Sequence, residues 1–105
     1  MATDQYHEPP SELPEETRTF ARLLTSMIEE AEAIGWYDQR LAVEKDKQAS
    51  SIMEHAMQEE MIHFSMDLEF LLRQKPTWRT ILKNVLHHDG EITELAENAE
   101  EEAME

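Results

Sequence analysis

The sequence predicts an all-α protein: an antiparallel hairpin of two long helices, then a short helix and an acidic last segment. Three observations carry this. Helix formers dominate, with only 2 glycines and 4 prolines in 105 residues. Two long stretches place apolar residues at alternating spacings of three and four, the period of a helix face. No stretch shows the period-two alternation of a strand.

Each element follows in order. Residues 1–12, including "EPPSELP", lack periodicity and read as irregular. Pro14 suits a first helical turn, with Glu15 and Glu16 near its positive end. The first helix is predicted over 14–40. Polar "EKDKQASS" at 44–51 marks a tight connection, and the second helix is predicted over 47–74, stopped by Pro76. Two long helices on a short link form a hairpin. "TWRTILKNVLHHD" predicts a short helix over 77–88, with His87 and His88 placed where histidine favours a helix C-terminus. "EITELAENAEEEAME", 91–105, reads as a solvated last helix or an acidic tail. The length fits one domain, 1–105.

Composition narrows the function. The net charge is −15, from 24 acidic and 9 basic residues. This argues against nucleic-acid binding, which needs a basic face for phosphates. A negative field draws in cations, and it equally keeps a protein soluble. No stretch has the apolar length to span a bilayer, and "MATDQYHEPP" lacks signal-peptide character. A cytoplasmic protein is expected. With no cysteine, a bound metal must be held by carboxylate and imidazole, which favours iron, manganese or zinc.

The helix faces single out particular acids. On the first helix Phe20, Leu23, Met27, Glu30, Ile34, Tyr37 and Leu41 make one seam, with Leu24, Ile28 and Ala31 beside it. On the second, Met57, Met61, Phe64, Leu68 and Leu71 make an apolar seam. Met53, Ala56, Glu60, His63 and Asp67 run next to it. A lone hairpin covers only one face of each helix, so a second copy in a twofold dimer is expected to cover the other. A carboxylate inside an apolar seam is costly unless paired or bound to a metal. That distinguishes Glu30 and Glu60 from the acids off the seams.

Glu60 and His63, in "MQEEMIHFSM", form a Glu-x-x-His pair on one helix face. A four-helix di-iron site takes one Glu from each of two helices and a Glu-x-x-His pair from each of the other two. This chain supplies one of each, Glu30 and Glu60 with His63. Two chains would complete the set. A bland alternative stays open: Glu-x-x-His arises readily in a Glu-rich chain, and methionine stripes serve core packing. The chain is then a non-enzymatic acidic helical oligomerisation or cargo-adaptor module.

"MIEEAEAIGWYDQR" followed by "HAMQEEMIHFSMDLEFL" resembles the two core helices of the encapsulated ferritins, over roughly residues 8–98. The resemblance implies a half-ferritin hairpin that completes a four-helix, ferritin-like bundle by dimerisation, with dimers forming a ring-like decamer. It implies a ferroxidase that oxidises ferrous iron with dioxygen, enclosed by an encapsulin shell in a cytoplasmic nanocompartment, for iron storage. Carried over by residue, it implies a di-iron centre of two irons per dimer on Glu30, Glu60 and His63 of both chains. Trp36 and Tyr37 match an aromatic pair close to that centre. On a helical wheel Tyr37 shares the Glu30 seam, and it is expected to serve there by hydrogen bonding or as an electron donor. Glu29 and Glu32 match a metal-entry site; with Trp36 they share a face distinct from the Glu30 seam, and their hard oxygens suit calcium. His55 and Glu59 match part of an outer metal site, where Ile62 replaces an acid. The family's small, apolar C-terminal docking peptide has no counterpart in "AENAEEEAME".

Overall fold

The computed structural model describes residues 5–104; residues 1–4 and 105 of the predicted terminal segments lie outside the described residues. A 3-10 turn, Pro10–Glu12, precedes four helices: α1, Glu15–Val43; α2, Lys47–Gln74; α3, Pro76–Val85; and α4, Ile92–Met104. There is no strand among the described residues.

The element ends differ from the sequence prediction in ways the local chemistry explains. Within the stretch predicted as irregular, Leu13 N donates to Pro10 O at 3.1 Å and closes the 3-10 turn. Pro14 precedes α1 as its cap residue, with an extended ψ of 154, and accepts from Arg18 N. Arg18 and Arg22 reach back to Glu15 at 2.8 and 3.5 Å. α1 runs past Arg40 to Val43, because nothing in "LAV" breaks a helix. α3 starts at Pro76, whose fixed φ suits a first helical position. It ends at Val85, before the predicted position 88: Leu86 is extended and His87 takes a left-handed φ of 62. His88 Nε2 lies 3.0 Å from Lys83 O, so the imidazole caps a last-turn carbonyl of α3.

The chain divides into two units, Met1–Leu71 and Leu72–Glu105. In the first, α1 and α2 are joined by Glu44–Asp46. Lys45 N and Asp46 N both donate to Glu44 Oε2 at 3.1 Å, and Asp46 Oδ1 caps α2 by accepting from Ala49 N at 2.9 Å. Glu30 lies thirteen residues before the end of α1, and Asp67 lies twenty residues into α2. At about 1.5 Å per residue, these two can meet only if α2 doubles back along α1. They do meet, as described below, so the helices form an antiparallel hairpin.

The hairpin buries little completely: Met27 is 7% exposed and Leu71 fully enclosed. Phe20, Leu23, Ile34, Tyr37 and Leu41 on α1 are half-buried, as are Met53, Met57, Phe64 and Leu68 on α2. Met61, expected in the apolar seam of α2, is exposed, and so are Ile62, Met66 and Phe70. One helix covers only a limited arc of its partner, and Glu60 and Asp67 lie inside that arc.

In the second unit α3 and α4 pack together. Ala99 is fully enclosed, and Leu72 is buried. Glu91 begins α4: its carboxylate accepts from Thr93 N, Thr93 Oγ1 and Glu94 N. Those bonds favour the ionised form and hold the Glu91 carboxyl below its ordinary range. No helix among the described residues is long and apolar enough to cross a membrane.

Candidate metal centre

On the hairpin a cleft of about 620 Å³ is lined by Thr25, Ser26, Glu29, Glu30, Glu32 and Trp36 of α1 and by Glu60 of α2, with Ile28 and Ala33 between them. Most of its wall follows from helix periodicity. Positions 25, 29, 32 and 36 form one row on α1, and positions 26, 30 and 33 form the adjacent row. Fourfold turn spacing therefore stacks three of the four glutamates beside two hydroxyl residues. The fourth, Glu60, comes from the other helix.

Glu30 is the distinctive member. Its carboxyl comes near that of Asp67 on α2, which favours the protonated form of Glu30. Glu30 Oε2 and Asp67 Oδ2 are each sealed from solvent, and neither has a conventional donor. Burial is the largest cause disfavouring the Glu30 charge. The hydrogen bond to Asp67 follows, and then the charges of Asp67, Glu60 and Glu29. Together they push the Glu30 carboxyl from its ordinary 4.5 to about 7. Burial and neighbouring acids both disfavour the Glu30 charge, and a bound cation would relieve that repulsion.

The expected site residues divide into two groups. Glu29, Glu30, Glu32, Glu60 and Trp36 share the cleft. The wheel separates Glu29, Glu32 and Trp36 from the Glu30 seam; the cleft is wide enough to include both rows. His63 is exposed on α2, one turn beyond Glu60, and is not part of the cleft wall. Tyr37 is half-buried, with the Arg40 guanidinium 5.3 Å from its ring centre. His55 and Glu59 are exposed one turn apart, and Ile62 beside them is 50% exposed. Among the described residues of one chain, no three His, Asp or Glu side chains come together to hold a metal ion. Asp67 is the residue whose part the sequence reading overlooked. It stands in the same stripe as Glu60 and His63, where a buried carboxylate is as costly as it is for Glu30.

Several known proteins resemble this chain in sequence and fold. The model of the family described as EncFtn-like matches residues 5–89. A Thermotoga maritima protein named "Ferritin-like protein" is 48% identical over 94 residues, covering 90% of this chain and 82% of that protein. An "Encapsulated ferritin-like protein" of Rhodospirillum rubrum is 38% identical over 93 residues; the match covers 89% of this chain and 66% of the relative. The crystal structure of a protein from Nitrosomonas europaea superposes with a TM-score of 0.80 at 39% identity, covering 85% of this chain and 98% of that one.

Proposed function

Because the chain belongs to the EncFtn-like family, we propose that it is a ferroxidase, oxidising ferrous iron at a centre that two copies of the chain complete together. The observation that carries this reading is the four-glutamate cleft, in whose wall Glu30 keeps a sealed oxygen without a hydrogen-bond partner. Glu30, Glu60 and His63 from one chain are half of a four-helix di-iron ligand set. A twofold partner supplies the rest, four glutamates and two histidines in all. The exposed Met61, Ile62, Met66 and Phe70 on α2 give a second hairpin an apolar surface to cover.

In this reading Glu29 and Glu32 gather ferrous ions at the rim of the cleft, and their hard oxygens also suit calcium. Trp36, 51% exposed, shields that rim. Glu30 and Glu60 hold the ions as carboxylate ligands, and His63 adds a nitrogen donor across the twofold. Carboxylate charge favours the ferric product over the ferrous substrate. Each ferrous ion gives one electron to dioxygen. Tyr37, two turns beyond Glu30 on α1, is assigned to hydrogen bonding near the centre. His55 and Glu59 are assigned to an outer site of only two donors. Dimers are assigned to a ring-like decamer inside an encapsulin nanocompartment of the cytoplasm, an extension from the "encapsulated" relative. The competing adaptor reading leaves the sealed carboxyl pair without a role.

The test is anaerobic addition of ferrous iron with metal counting, followed by air. Two irons per dimer and a fast ferric absorbance change are expected. A Glu60→Ala, His63→Ala double variant that stays helical should lose both. Iron oxidation by that variant at the wild-type rate would overturn the assignment.

A further inference from the structure

We propose that Arg40 is a positioning residue for Tyr37: its guanidinium holds the Tyr37 ring on the Glu30 seam of α1. The inference rests on the reading of Tyr37 as a hydrogen-bonding group near the iron centre.

Three features support it. First, the guanidinium carbon of Arg40 lies 5.3 Å from the centre of the Tyr37 ring, within the range at which a cation is drawn to a ring face. Helical side chains lean toward the N-terminus of their helix. Tyr37 therefore leans along α1 toward Glu30, and Arg40, one turn further on, leans over Tyr37 from the far side. Second, this cation takes no acidic partner in a chain of net charge −15. Glu44, four residues on, is the natural partner on that helix face, but its Oε2 accepts from Lys45 N and Asp46 N in the link. Among the described residues, no carboxylate pairs with Arg40. Third, Trp36, Gln39 and Arg40 line a cavity of about 300 Å³, and of these only Trp36 also lines the glutamate cleft. Arg40 thus reaches the aromatic pair without placing its charge among the glutamates, where it would compete with a ferrous ion. Tyr37 is half-buried, so packing alone does not fix its ring. A cation over one face limits that freedom before iron arrives, and the cost of ordering the ring falls.

The chain holds two tyrosines, Tyr6 and Tyr37, so protein labelled with meta-fluorotyrosine reports each by fluorine NMR. In metal-free protein Arg40→Gln should shift the Tyr37 signal and leave Tyr6 in place. Zinc(II) should shift the Tyr37 signal of the wild type. In unlabelled protein at saturating ferrous iron, Arg40→Gln should slow oxidation roughly two- to fivefold, the size expected of an exposed cation–ring contact. Tyr37→Phe removes the hydroxyl and keeps the ring. Arg40→Gln added to Tyr37→Phe should cause no further loss, because Arg40 acts through the hydroxyl it positions. A merely structural role would lower the rate by the same factor in both backgrounds, and that result would overturn the proposal. So would a Tyr37 signal that ignores Arg40→Gln. If Arg40→Gln oxidises iron at the wild-type rate while Tyr37→Phe is slower, only the role of Arg40 fails. If zinc leaves the Tyr37 signal in place and Tyr37→Phe oxidises iron like wild type, Tyr37 lies away from the centre and the role of Arg40 falls with it. If the wild type oxidises no iron, the ferroxidase reading fails and this role with it.

Discussion

Glu30 on α1 and Glu60 on α2 line the same cleft, and the charge of Glu60 is one of the causes that keep a proton on Glu30. Two helices that pack mainly through apolar side chains therefore place like charges together at one point. The apo hairpin tolerates this by favouring the protonated form of Glu30; a bound cation removes the need.

Stability should carry the mark of that arrangement. Glu30 has a carboxyl value near 4.5 in the unfolded chain and about 7 in the folded one. Between those values the folded state binds more protons. The stability contributed by protonated Glu30 is fully present below about pH 4.5 and is lost as pH rises through about 7. Glu30→Gln cannot ionise and should not show that loss. Thermal melts of metal-free protein should show wild type falling relative to Glu30→Gln between pH 5 and pH 8. Parallel profiles would show that the Glu30 carboxyl titrates alike in the folded and unfolded chain.

The rim of the cleft has an optical reporter. Trp36 is half-exposed beside Glu29 and Glu32. Saturating cobalt(II) should quench tryptophan emission, and Trp36→Phe should abolish most of the quenching while Trp78 remains as a baseline. Glu29→Gln with Glu32→Gln should raise the half-saturating cobalt concentration roughly tenfold, since two attracting charges are gone. Emission that ignores cobalt would place metal entry elsewhere.

The link between the long helices is a third point of leverage. Asp46 caps α2 through its 2.9 Å bond from Ala49 N. Asp46→Ala should cost about 1 kcal/mol, and Asp46→Asn only a few tenths. Urea unfolding should show a lower midpoint with an unchanged slope for alanine. Equal midpoints for the alanine variant and wild type would mean that the cap is formed but contributes nothing measurable.

Much of the hairpin could be read from local chemistry. Spacings of three and four identify the helices, Pro76 marks a boundary between two of them, and the polar link at 44–46 places the reversal. Boundaries were harder where no residue breaks a helix. The "LAV" after Arg40 continues α1, and the left-handed His87 ends α3 at a residue type that does not usually take that conformation. The acid row of the cleft was legible for the same reason as the helices. Glu29, Glu32 and Trp36 lie on one row, and Glu30 on the row beside it, by periodicity alone.

By itself, then, the sequence determined the all-helical class, the resemblance to the encapsulated ferritins and the candidate ligands Glu30, Glu60 and His63, because these depend on periodicity and residue type along one helix at a time. Tertiary structure decided which of them meet. It joined the two acid rows into one cleft with Glu60, left His63 and Met61 exposed, and brought Asp67 near Glu30. The register of one helix against another fixes those contacts. That register depends on the geometry of the link and on packing between residues far apart in the chain, which no single helical stripe records.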